Sequence, residues 1–211
     1  MSATPGRPLL EALEPLYRNY LRRLDEMVAR LPEGAALTER TTRQDGALVL
    51  GENGLPLRFD VADGRNGETW EVHGAHADDP LARDLRVGAL EVRLAPGNWE
   101  ELPVVCAYAS PPPPAEVEEL AALIRSFVSF AGSGGFAAHR RERGSAGADR
   151  WTGRAHGVHL ELRGSELWAV LDLGTCPPEG VEGLCMALSG YSEERVALAF
   201  VRIGGTAANG G

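Results

Sequence analysis

Between Pro8 and Leu31 the side chains Leu10, Leu13, Tyr17, Tyr20, Leu24, Met27 and Leu31 recur at intervals of three and four residues in turn. That is the period of one helix face, so a helix over 8–31 is the first constraint on the fold. Leu9, Leu16, Leu21 and Val28 widen the stripe beyond a coiled-coil seam, to a width suited to packing on a sheet or a domain. The opposite face carries Glu14, Arg18, Arg22, Glu26 and Arg30, with Glu14–Arg18 and Glu26–Arg30 in the favourable order for ion pairs. Pro15 either kinks this helix or marks the start of its main part. If the stripe faces outward, Leu10, Leu13, Tyr17, Tyr20 and Leu24 form the surface on which a protein partner or a second copy would dock.

After Pro32 the period changes to two. Short apolar runs at Ala47–Leu50, Leu57–Val61, Thr69–His73, Leu90–Leu94 and Leu102–Ala109 alternate with Gly- and Asn-rich turns, the pattern of an antiparallel meander. Leu57, Phe59 and Val61 alternate with Arg58 and Asp60, which predicts an apolar buried face and a polar wet one. Val104 to Tyr108 is apolar throughout and reads as a central strand covered on both sides. Pro111 to Pro114 end that strand and open a helix with Val117, Leu120, Ala121, Ile124, Phe127 and Val128 on one face. Residues 132–150 have no period and read as a mobile loop. A hairpin, Gly157–Leu162 and Leu167–Leu173, then leads through Pro177-Pro178 into a third helix and a last strand, Val196–Ile203. A Gly/Ala tail occupies 204–211. The expectation is one α+β domain: an antiparallel sheet packed against the N-terminal helix and two further helices. Glu101–Val105 and Glu166–Val170, each followed by prolines and a helix, suggest a duplicated ββα unit.

Composition removes several classes of activity. All 21 basic residues are arginine, and without lysine there is neither a Schiff-base nucleophile nor a Walker-type phosphate lysine. No apolar run approaches the ~20 residues of a membrane span. Three cysteines and no leader pattern fit a reducing, cytoplasmic setting. The net charge is −9, and 46–110 holds eleven acids against five arginines. Such a surface repels nucleic acid and anionic lipid.

Two HxxH pairs are the candidate metal ligands. His156 and His159 lie on a predicted strand, where residues three apart face opposite ways and share no ion. His73 and His76, followed by Asp78 and Asp79, offer two imidazoles and carboxylates in one loop, a set able to take zinc, nickel or iron. Cys176 precedes a helix, which lowers a thiol pKa, but no histidine base is fixed beside it; it reads as a half-buried capping residue. Cys106 and Cys185 fall on apolar faces. His139-Arg140-Arg141-Glu142-Arg143 is the basic cluster, read as a solvated loop. No Gly-x-Ser-x-Gly, HExxH or paired CxxC occurs.

The leading helix Pro8–Leu31, the strand-to-helix step Val104–Ser110 into Val117–Val128, and the hairpin Gly157–Leu173 followed by Pro177-Pro178 set out an order of elements. That order resembles the YbjN-like and type III secretion chaperone-like families. The resemblance implies a non-enzymatic protein-binding module of chaperone, adaptor or regulatory type, often dimeric, that works without a cofactor. Two alternatives remain open. One is an immunity-type inhibitor whose acids between Asp60 and Glu101 occlude a basic toxin. The other is a metal or small-molecule sensor or enzyme built on His73, His76, Asp78 and Asp79.

Overall fold

The stripe at the N-terminus becomes helix α1, Pro8–Arg30, in the computed structural model, which describes residues 7–31, 35–45, 47–63, 65–71, 83–95, 97–136 and 153–205. Pro8 sits in the first turn, where its missing N–H costs nothing, and Pro15 is carried within the helix. Leu9, Ala12, Leu13, Leu16, Tyr17, Tyr20 and Leu24 are all buried. Each large apolar side chain hidden this way contributes roughly 1.5–3 kcal/mol, so α1 is an integral part of the core. On its outer face Arg18 donates to Glu14 at 2.8 Å, while Glu26 pairs with Arg22.

The strands are β1 (Ala35–Thr41), β2 (Arg43–Gln44), β3 (Ala47–Leu48), β4 (Arg58–Asp63), β5 (Thr69–Trp70), β6 (Arg83–Val87), β7 (Leu90–Leu94) and β8 (Leu102–Tyr108). Helix α2 covers Pro114–Gly132. Then come β9 (Gly157–Arg163), β10 (Glu166–Asp172), helix α3 (Pro178–Glu194) and β11 (Leu198–Ile203). The fold is α+β, as the periodicities imply. Three strands are outside the expected runs, β1 with its sequence AALTERT, the two-residue β2, and β6 with RDLRV. β1 shows no clean apolar alternation, and β6, with only Leu85 and Val87 apolar, is an edge strand mostly exposed to solvent.

Six strands form one sheet in the order β6-β7-β11-β8-β10-β9. The expected meander is thus corrected in one respect: β11 returns between β7 and β8 and runs parallel to β7, making the sheet mixed. The two ββα-like stretches consequently differ, since β9 and β10 form a hairpin while β11 separates β7 from β8. Central β8 is buried along its whole length. Its inner face, with Val104 and Cys106, joins the core beneath the helices. On the outer face Arg163 and Arg202 lie over the Trp168 ring, and Arg93 lies over Phe200 at 3.8 Å, so aliphatic stems and guanidinium planes stand in for a second helix layer.

A second sheet, β1-β4-β5, and the short β2-β3 pair complete the described structure. The expected division of β4 into an apolar buried face and a polar wet one fails. Val61 is buried as expected, but Arg58 and Asp60 are buried too, whereas Leu57 is 44% exposed. The polar side chains turn inward because Arg58 meets both Asp60 of its own strand and Asp172 of β10, which offsets the cost of leaving water.

Candidate functional site

β4 aligns Arg58 and Asp60 two residues apart on one face, and that face meets the end of the β9–β10 hairpin. Arg58 forms ion pairs with Asp60 of its own strand and with Asp172 at the end of β10. The half-buried Glu71 lies 3.7 Å from the same guanidinium. Asp172 also accepts from the Gly174 amide at 3.1 Å and holds His156 Nδ1 at 3.2 Å. His156 Nε2 faces Glu39 Oε1 at 3.7 Å. From α1, the Tyr20 hydroxyl reaches Asp60 at 3.5 Å. Charged side chains from both sheets and a phenol from α1 thus meet in one buried cluster.

Glu39 enters the cluster through an irregularity in β1. The register with β4 shifts between Leu37 and Arg40, and Glu39 takes a left-handed φ of 40°. A bulge of this kind re-aims a side chain, and a non-glycine residue held there stores roughly 1–3 kcal/mol of strain.

Proton affinities follow from these contacts. Burial opposes charge on His156, but Asp172 and Glu39 outweigh it and raise its pKa to about 9, so the imidazole is a cation at neutral pH. Burial would raise the Asp172 carboxyl, yet Arg58 and His156 bring it down to about 2. Arg58 is held in its charged form by Asp172, Tyr20, Asp60 and Glu71 against the cost of burial. Burial, with Asp60 beside it, pushes the Tyr20 phenol well up.

His156 and Glu39 also line a cleft of about 810 Å³ beside β9. Among the described residues its lining holds Arg40, Arg43, Arg125 and Arg154, with the imidazoles of His156 and His159, against the single carboxylate of Glu39. In a chain of net charge −9 this is a marked concentration of positive potential. Apolar surface is interspersed: Leu48 is 41% and Leu50 58% exposed, and Val128 and Leu160 complete the wall. Gly157, Val158, His159 and Leu160 all border the cleft. Successive strand residues point to opposite faces, so four in a row can line one cavity only where it runs along the strand's edge.

A smaller cleft of about 330 Å³ on the other side of Asp172 is lined by Glu52, Glu71, Glu100 and Glu101 around Arg58. Part of the acid concentrated in 46–110 is internal: Asp60 is fully buried against Arg58, and Asp63 is paired with Arg65 at 3.0 Å.

The sequence-derived sites are placed as follows. Leu13, Tyr17, Tyr20 and Leu24 lie inside the chain's own core and Leu10 is half-buried beside it, so this stripe is closed to a partner in the folded molecule. His73, His76, Asp78 and Asp79 lie outside the described residues, as do Arg140–Arg143. Among the described residues no group of three or more His, Cys, Asp or Glu side chains is arranged to hold a metal. His156 and His159 are indeed separate, the first buried in the cluster and the second half-exposed on β9. Cys176 is fully buried rather than half-buried, and Pro177, not Cys176, occupies the helix cap; burial pushes its thiol pKa up, away from reactivity. Among the described residues no helix is long and apolar enough to cross a membrane.

The HxxH spacing brings His156 to notice only as a metal ligand, and its pairing with Asp172 is not written there. The signal was available: with a two-residue turn at Gly164-Ser165, counting back along the hairpin pairs Gly157 with Asp172 and brings His156 beside that carboxylate. Comparison with family models, curated proteins and solved structures finds no match to this chain.

Proposed function

We propose that this protein is a non-enzymatic protein-binding module of chaperone, adaptor or regulatory type, and that its partner enters the arginine-lined cleft beside β9. The observation that carries this reading is the cleft itself, with four arginines and two histidines facing a single carboxylate, interspersed with exposed leucines. Guanidinium forks and apolar patches together are the surface chemistry of protein recognition. The resemblance of the element order read from the sequence to the YbjN-like and type III secretion chaperone-like families points to the same class of function. His156 is held at Nδ1 by Asp172 at 3.2 Å, and Glu39 lies 3.7 Å from Nε2, so two carboxylates flank the ring and favour a structural cation over a catalytic base.

The test compares the native chain with the Arg125→Glu/Arg154→Glu double variant, both immobilised and exposed to extract of the source cells. Arg125 and Arg154 lie at the exposed rim, so the fold is expected to tolerate the change, and matched thermal melts of the two proteins check this. A partner retained by the native chain and lost by the variant is the expected result. Equal retention by both proteins would move the binding surface away from the cleft.

A further inference from the structure

β9 is the last strand of the six-stranded sheet among the described residues, and the cleft follows its outer edge. In a hairpin with a two-residue turn the flanking pair, here Arg163 and Glu166, exchanges both backbone hydrogen bonds, and every second pair does so after it. Arg163, His159 and Gly157 therefore spend their amides and carbonyls on β10. Val158, Leu160 and Leu162 turn theirs outward along the same edge, and Val158 and Leu160 border the cleft. A row of alternate backbone donors and acceptors is a template for one more strand.

Two walls flank that row. Helix α2 borders it with Arg125 and Val128, and the β1–β3 region borders it with Arg40, Arg43, Leu48 and Leu50. Both walls thus mix guanidinium groups with apolar side chains. An extended chain laid between them would present alternate side chains to one wall and then the other.

We infer that the cleft binds an extended acidic peptide segment of a protein partner, which adds to β9 as a seventh strand with its carboxylates on the wall arginines. This rests on the cleft being the partner site, and it specifies how the partner is held. Main-chain hydrogen bonds supply the sequence-independent part of the affinity, and the arginines select for negative charge.

The probe is a fluorescein-labelled nine-residue peptide of alternating glutamate and valine, titrated into the full chain at low salt and followed by fluorescence anisotropy. Three companions are run: lysine in place of glutamate, the acidic peptide with alternate backbone nitrogens methylated on one edge, and the same with the other edge methylated. The acidic peptide is expected to bind at least tenfold more tightly than the lysine peptide. One of the two methylated peptides should lose at least tenfold in affinity while the other keeps it, because only one edge of the ligand faces β9. Amide exchange at Val158, Leu160 and Leu162 should slow on binding.

If both methylated peptides bind as well as the parent, strand addition is overturned, although the cleft remains a site for acidic partners. If neither acidic nor basic peptide binds while the Arg125/Arg154 variant still loses its cellular partner, the acidic-strand inference fails and the broader reading stands. A dimer by light scattering that slows exchange at the same three amides without peptide would make a second copy the occupant and overturn the inference.

Discussion

His156 sets a quantitative link between pH and stability. Its folded-state pKa of about 9 lies above the ordinary histidine value of 6.5, so the native state binds this proton more tightly than the unfolded chain does. The stabilisation is fully present below 6.5 and is lost as pH rises through 9. Its full size is about 3 kcal/mol, of which about 2 kcal/mol disappears between pH 6.5 and 8.5. Burial pushes the Cys106, Cys176 and Cys185 thiols up, so their ionisation in the unfolded chain adds a loss of the same sign as pH approaches 8.5, and a variant lacking only the imidazole measures that share. Urea denaturation at several pH values is the assay. With a denaturant slope of about 2 kcal/mol per molar, the midpoint should fall by about 1 M across the window. His156→Gln, which has no proton to lose, should be less stable at pH 6.5 and show a much flatter profile. Parallel losses in the native chain and the variant would refute the assignment, as would an imidazole NMR titration with its midpoint near 6.5.

Replacing Arg58 by methionine leaves Asp60 and Asp172 buried without their shared counter-charge, and thermal or urea unfolding should register a loss of about 3–5 kcal/mol. Leu24 is fully buried on α1, so Leu24→Ala should cost about 2–5 kcal/mol and leave the oligomeric state by light scattering unchanged; a shift in mass with undiminished stability would return the α1 stripe to the surface. Gly174 has φ 48°, and a Cβ there would lie 2.4 Å from the His156 ring and 2.6 Å from the Arg154 carbonyl. Gly174→Ala should therefore destabilise the fold by more than about 1 kcal/mol and bring the His156 titration closer to 6.5.

The helices were legible from sequence because a helix face is written in local spacing. Pro8–Leu31 was read within one residue of α1, and the proline-led starts of α2 and α3 were read for the reason the structure displays: proline fits the first turn. The strands with clean apolar patterns, β7, β8, β9 and β10, were found for a like reason. What spacing does not encode is the partner. The Arg58/Asp60 face of β4 looks wet in isolation and is dry in the molecule, because Asp172 and His156 arrive from more than 90 residues away. Likewise the α1 stripe is equally apt for a partner or for the chain's own core, and only the packed sheets and helices consumed it. The same holds for the cleft, whose arginines at 40, 43, 125 and 154 are scattered in the chain and gathered by β1, β2, α2 and the approach to β9. Local periodicity determined which elements form; long-range charge pairing and sheet order decided which of their faces are buried and which remain open to bind.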